Sequence, residues 1–120
     1  MDGPRHERRQ HFRGKARPGR VMSVRYRAGV GGEVQAPWIV AETRDIGVGG
    51  AFITSATPEA IGAPLTVEIA LPTTDQVFAL PGVVRWVRAA GDPDDGMGIQ
   101  FVGVDVDILL ELNDYFGSLG

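Results

Sequence analysis

The chain has 120 residues, of which 43% are hydrophobic, and no cysteine, so we expect one domain with one core and exclude disulfide and thiolate chemistry. Its net charge of −3 is unevenly distributed: residues 1–27 carry nine basic and two acidic side chains, whereas residues 28–120 carry three basic and thirteen acidic ones. Because the N-terminus has no apolar stretch and no run of 18 apolar residues occurs, the sequence predicts a cytoplasmic protein without a membrane span.

Short apolar stretches between glycines and prolines predict about six strands. In residues 21–27 the apolar Val24 and Tyr26 alternate with polar side chains, which indicates a half-buried strand. Further strands are predicted at 38–46, 49–55, 65–72, 76–90 and 96–104. Pro81 and the glycine after it predict a bend or bulge inside the fifth strand.

The C-terminus departs from this pattern. From Asp105 the apolar residues recur at helical spacing, which predicts a helix over about 105–117 with Asp105 as N-cap and Gly117 at its end. Short antiparallel strands joined by tight turns favour a small closed barrel or a sandwich. We expect residues 1–19 to form a flexible basic arm and residues 20–120 to form one domain.

The sequence contains no recognisable set of catalytic or metal-binding residues. His6 and His11 have no third partner at ligand spacing, so we expect no metal site. No serine is followed by a neighbouring base, and no carboxylate pair is brought together by the sequence pattern. The chain is therefore predicted not to be an enzyme and to need no cofactor.

Two segments instead indicate binding of a planar or anionic group. Residues 1–27 contain eight arginines and only Lys15 besides, and a guanidinium pairs bidentately with phosphate and stacks on a base. Asp45 precedes a corner whose glycines at 47, 49 and 50 allow positive φ and close approach of a ligand. By itself, this corner is also typical of a tight hairpin or a bulge. Trp38 and Trp86 are predicted to pack in the core or at a barrel end.

These two segments resemble the motifs of PilZ domains. Arg9-Gln-His-Phe-Arg13 resembles their RxxxR motif, and Asp45-Ile-Gly-Val-Gly-Gly50 resembles their Asp/Asn-x-Ser-x-x-Gly motif. GVVRW and GMGIQF, further along the chain, are similar to later strands of the family, and the resemblance covers about residues 7–117. It implies an all-β fold, a six-stranded antiparallel β-barrel with one C-terminal helix, that binds the second messenger cyclic di-GMP.

The resemblance also implies roles for individual residues. Arg9 and Arg13 would contact phosphate and guanine, and Arg8 would accompany them where a stacked ligand dimer binds. Asp45 would accept hydrogen bonds from a guanine edge, and Gly50 would keep the corner open. The output would pass to an unidentified protein partner in motility, pilus or exopolysaccharide control.

Two departures from the family pattern leave alternatives open. Gly47 stands where the family usually has serine, and the lost hydroxyl predicts binding weaker by roughly tenfold to a hundredfold. The alternative is a degenerate PilZ-like interaction adaptor that does not bind cyclic di-GMP. Arg13 and Arg17 also fit RxxxR, so Arg17 belongs to a second possible register. Nucleic-acid binding is not expected, because the acidic body would repel a duplex.

Overall fold

The computed structural model describes residues 21–31, 36–72, 74, 76–88 and 95–119. Its elements are β1 (Ser23–Ala28), β2 (Ile39–Ile46), β3 (Gly50–Thr54), β4 (Pro64–Ala70), β5 (Val77–Arg88), β6 (Gly96–Phe101) and a helix, α1 (Val106–Ser118). The strands close into a barrel in the order β1, β2, β3, β6, β5, β4, with all neighbours antiparallel. The predicted six-stranded antiparallel β-barrel with a C-terminal helix is confirmed, and the predicted arm at 1–19 lies outside the described residues.

The barrel interior is filled by alternate residues of each strand. Val24 and Tyr26 of β1 and Leu65, Val67 and Ile69 of β4 are buried, as their alternation with polar residues predicts. The intervening side chains lie on the outer surface of the barrel. Where a strand has no bulge, this alternation decides whether a side chain faces the inside or the outside of the barrel.

Of the predicted bend or bulge at Pro81 and Gly82, the bulge does not form there, because β5 pairs with β4 in unbroken register through both residues. Gly82 pairs with Phe101, the last residue of β6, so Pro81 lies just past the end of that strand. There the carbonyl of Pro81 accepts a hydrogen bond from the Val102 N–H at 2.9 Å. The irregularity in β5 falls later, between Val84 and Trp86.

Helix α1 packs one face into the core and exposes another. Leu112 and Phe116 are buried within the core cluster, whereas Leu110 remains exposed. Asp105 occupies the N-cap position as predicted, but its side chain makes no capping hydrogen bond. The helix extends one residue past the predicted end at Gly117, to Ser118.

Candidate functional site

The segment that resembles the second PilZ motif forms a tight hairpin between β2 and β3. The Gly47 N–H donates to the Gly50 carbonyl at 2.9 Å, which leaves two residues at the tip. Ile46 pairs with Ala51 directly below the turn. The corner is thus closed by a backbone hydrogen bond of its own.

A β-bulge before this hairpin turns Asp45 to the outside of the barrel. Thr43 pairs with Ile53 and Asp45 pairs with Phe52, so Arg44 is an extra residue in β2. Thr43 is buried, and its hydroxyl oxygen accepts a hydrogen bond from the Met22 N–H at 3.0 Å. In strict alternation Asp45 would face inward like Thr43; the extra residue places it on the outer face instead.

A second bulge has the same effect on Trp86 in β5. Val84 pairs with Ile99 and Trp86 pairs with Gly98, which leaves Arg85 as the extra residue. Val84 is fully buried, whereas Trp86 has 47% of its surface exposed. Of its two predicted positions, the core and a barrel end, Trp86 does not occupy the core, because the bulge reverses the direction of its side chain.

The two bulges align four residues in one row across four strands. Asp45 pairs with Phe52, Phe52 pairs with Gly98, and Gly98 pairs with Trp86. We call these four residues the outer row. Residues directly opposite one another share a face of the sheet, so the row runs along the outside of the barrel over three interstrand steps, about 14 Å.

The aromatic half of the outer row is a flat, stacked pair. The rings of Phe52 and Trp86 lie 4.9 Å apart between centroids at an interplanar angle of 17°. Gly98 lies beneath them, and a Cβ there would come within 2.2 Å of Cε2 and Nε1 of the indole. A Cβ on Gly96 would come within 2.7 Å of Cζ of Phe52. The two glycines of β6 thus allow the rings to lie directly on the sheet.

The glycines of the hairpin differ in what the backbone requires of them. Positive φ occurs at Gly29, Gly31, Gly62 and Gly103 and not at positions 47, 49 or 50, so the hairpin does not use the positive φ that its glycines allow. A Cβ on Gly50 would lie 2.2 Å from the carbonyl oxygen of Ile99. Gly50 is therefore required by the close approach of β3 to β6.

Three arginines lie on the strands that carry the outer row. The guanidinium of Arg85 donates from Nε to Oε1 of Gln100 at 2.6 Å. Arg44 is half-buried, and Nε of Arg88 is buried without a hydrogen-bond partner in the part of the chain that the structure describes. This face therefore combines one carboxylate, an aromatic pair and basic side chains.

Of the predicted site residues, Asp45, Gly47 and Gly50 lie together at the hairpin. The others, Arg8, Arg9, Arg13 and Arg17, lie outside the described residues. Sequence reasoning missed Phe52 and Gly98; the alternating glycines of GMGIQF, which leave room for rings on one face, were the available signal.

Of its two predicted positions, the core and a barrel end, Trp38 does not occupy the core. It is half-buried, and the guanidinium carbons of Arg25 and Arg27 lie 4.5 and 4.4 Å from its ring centroid. These contacts are cation–π interactions, and they hold the indole beside β1. Trp38 therefore lies on a different part of the barrel surface from the outer row.

The described ranges contain no group of three or more His, Cys, Asp or Glu side chains placed to hold a metal ion. In the same part of the chain, no helix has the length and apolar character required to cross a membrane.

The fold defines a small antiparallel β-barrel domain with an external face built around a glycine hairpin. The PilZ domain family matches residues 7–118, and the chain belongs to this family of cyclic di-GMP receptors. Its members are generally receptor domains and not enzymes.

Among solved structures, the chain is similar to the PilZ domain of CeSA from a cellulose-synthesizing bacterium. The two share 14% sequence identity with a TM-score of 0.58, over 85% of this chain and 96% of the other. This likeness concerns the fold. Comparison with curated protein sequences gives no match.

Proposed function

We propose that this domain binds cyclic di-GMP and conveys the level of the messenger to a protein partner. Arg9, Arg13 and Asp45 hold the ligand, with Arg8 beside them and Arg17 as the alternative to Arg9 in the second register. The observation that carries the proposal is the outer row, which aligns the Asp45 carboxylate with the stacked pair of Phe52 and Trp86.

The chemistry of this face matches the parts of the ligand. A guanine offers N–H donors along one edge, which a carboxylate accepts, and a flat face, which stacks on an aromatic ring. The phosphates suit the arginines, whose planar guanidinium groups bind them bidentately. A ligand held between Arg9, Arg13 and the outer row would change the surface that a partner meets.

Substitution of Trp86 by alanine tests this assignment. Stacking of a base on an aromatic side chain contributes about 1–3 kcal/mol, so we expect the affinity for cyclic di-GMP to fall by roughly tenfold to a hundredfold. Isothermal titration calorimetry measures the change, and Trp86→Phe should retain most of the affinity because it keeps a ring.

Val77→Ala is the matched control for Trp86→Ala, since Val77 is an exposed apolar residue of the same strand away from the row, 58% exposed. It should bind cyclic di-GMP like the unchanged chain. If Trp86→Ala and Val77→Ala bind cyclic di-GMP with equal affinity, the outer row is not part of the binding site.

Gly47 favours a second candidate function, the degenerate PilZ-like adaptor that does not bind cyclic di-GMP. The serine hydroxyl of the family pattern is missing, and the Gly47 N–H is already used to close the hairpin, so it cannot replace the hydroxyl. A buried polar group that is left without its hydrogen bond lowers the binding free energy by about 1–3 kcal/mol.

The substitution Gly47→Ser separates the two candidate functions. The φ angle of Gly47 is not positive, so serine is compatible with the backbone. We expect Gly47→Ser to strengthen cyclic di-GMP binding by about tenfold in the same titration, corresponding to one added hydrogen bond. If neither the unchanged chain nor Gly47→Ser binds at about 100 μM, the receptor function is wrong and the adaptor remains.

A further inference from the structure

The outward face of α1 combines exposed apolar and acidic side chains in adjacent stripes. Val106 and Leu110, four residues apart, have 69% and 64% of their surfaces exposed. Asp107, Glu111 and Asp114 follow at spacings of four and three residues and are also exposed. On a helix these spacings place each set along one side, so an apolar stripe lies beside an acidic stripe.

This arrangement is unfavourable for a helix that only faces water. The helix sequence VDILLELNDYFGS contains no basic residue that would offset its acids. Asp107 and Glu111 form a like-charge pair at i, i+4, and Asp114 adds a third acid on the same side of the helix. The ion pair between Arg25 of β1 and Glu68 of β4 does not involve the helix.

The negative charge of this face limits the kinds of partner that it can bind. Two copies of α1 packed on each other would oppose acidic stripes, and anionic membranes or nucleic acids would be repelled. The chain's own basic segment, residues 1–27, has the complementary charge but lacks apolar residues at helical spacing. A partner must therefore supply both basic side chains and an apolar stripe.

We propose that α1 is a docking surface for a basic amphipathic helix of a partner protein. Leucine-like side chains of the partner would cover Val106 and Leu110, and its lysines or arginines would face the acidic stripe. The proposal goes beyond cyclic di-GMP binding and does not require it, because this surface and the outer row lie on different elements.

The test uses a synthetic peptide of leucine and lysine, about 18 residues long, with leucines at helical spacing. Because the chain has no cysteine, Asn113→Cys carries a single environment-sensitive dye beside the apolar stripe. We expect saturable one-to-one binding to the full chain, weakened about tenfold or more by Leu110→Asn and by Glu111→Lys. Raising the salt from about 0.05 to about 0.5 M should also weaken it.

Controls separate docking from general attraction to an acidic protein. Val77→Asn and Glu42→Lys make the same kinds of change at exposed positions of β5 and β2 and should leave peptide affinity unchanged. Circular dichroism verifies that each variant is folded. Titration of each α1 variant with cyclic di-GMP measures ligand binding independently of peptide binding. Absence of binding, equal binding of a peptide with scrambled leucine positions, or equal losses in the control variants would overturn the proposal.

Discussion

Replacing Gly50 with alanine is expected to destabilise the barrel by about 3 kcal/mol. The new Cβ would lie 2.2 Å from the carbonyl oxygen of Ile99 and 3.3 Å from Cα of Gln100. Both atoms belong to the backbone of β6, so the overlap is relieved only by moving β3 away from β6. The midpoint of thermal unfolding, followed by circular dichroism, should fall by about 10 °C.

Gly49→Ala is the matched control for this substitution. Gly49 is the preceding residue of the same hairpin, and a Cβ there would meet no atom within 4 Å. Because its φ is not positive, alanine is accommodated and the free energy of unfolding should change by no more than about 0.5 kcal/mol. Equal unfolding temperatures for Gly50→Ala and Gly49→Ala would show that β3 and β6 do not approach as closely as described.

The double substitution Arg9→Ala/Arg13→Ala is expected to abolish measurable binding of cyclic di-GMP. A hydrogen bond to a charged group contributes about 1.5–3 kcal/mol, so two such contacts together correspond to a loss of roughly a hundredfold to ten-thousandfold in affinity. Isothermal titration calorimetry at ligand concentrations up to about 100 μM would then detect no saturable heat.

A control for the double substitution is Arg5→Ala/Lys15→Ala, which removes the same amount of charge from the same segment. It should retain affinity, because the proposed contacts are specific and not a general attraction. Arg17→Ala distinguishes the two RxxxR registers: it should have little effect if Arg9 and Arg13 hold the ligand. Full affinity in Arg9→Ala/Arg13→Ala would contradict the proposed arginine contacts.

The strands and their buried faces could be predicted from the sequence because they depend on local periodicity. The alternation of Leu65, Val67 and Ile69 places one face of β4 in water and the other in the core wherever its neighbours lie. The order of the motifs was sufficient to indicate the PilZ family, which the match over residues 7–118 bears out. The hairpin after Asp45 was likewise visible as a cluster of glycines.

Which side chains share the outer face depends on the tertiary structure. An extra residue in a strand is defined by the strand paired with it, so the bulges at Arg44 and Arg85 leave no mark in the local pattern. Each bulge shifts the alternation by one residue, which turns Asp45 and Trp86 outward. The need for glycine at position 50 also comes from a neighbouring strand, since the atom it avoids belongs to Ile99.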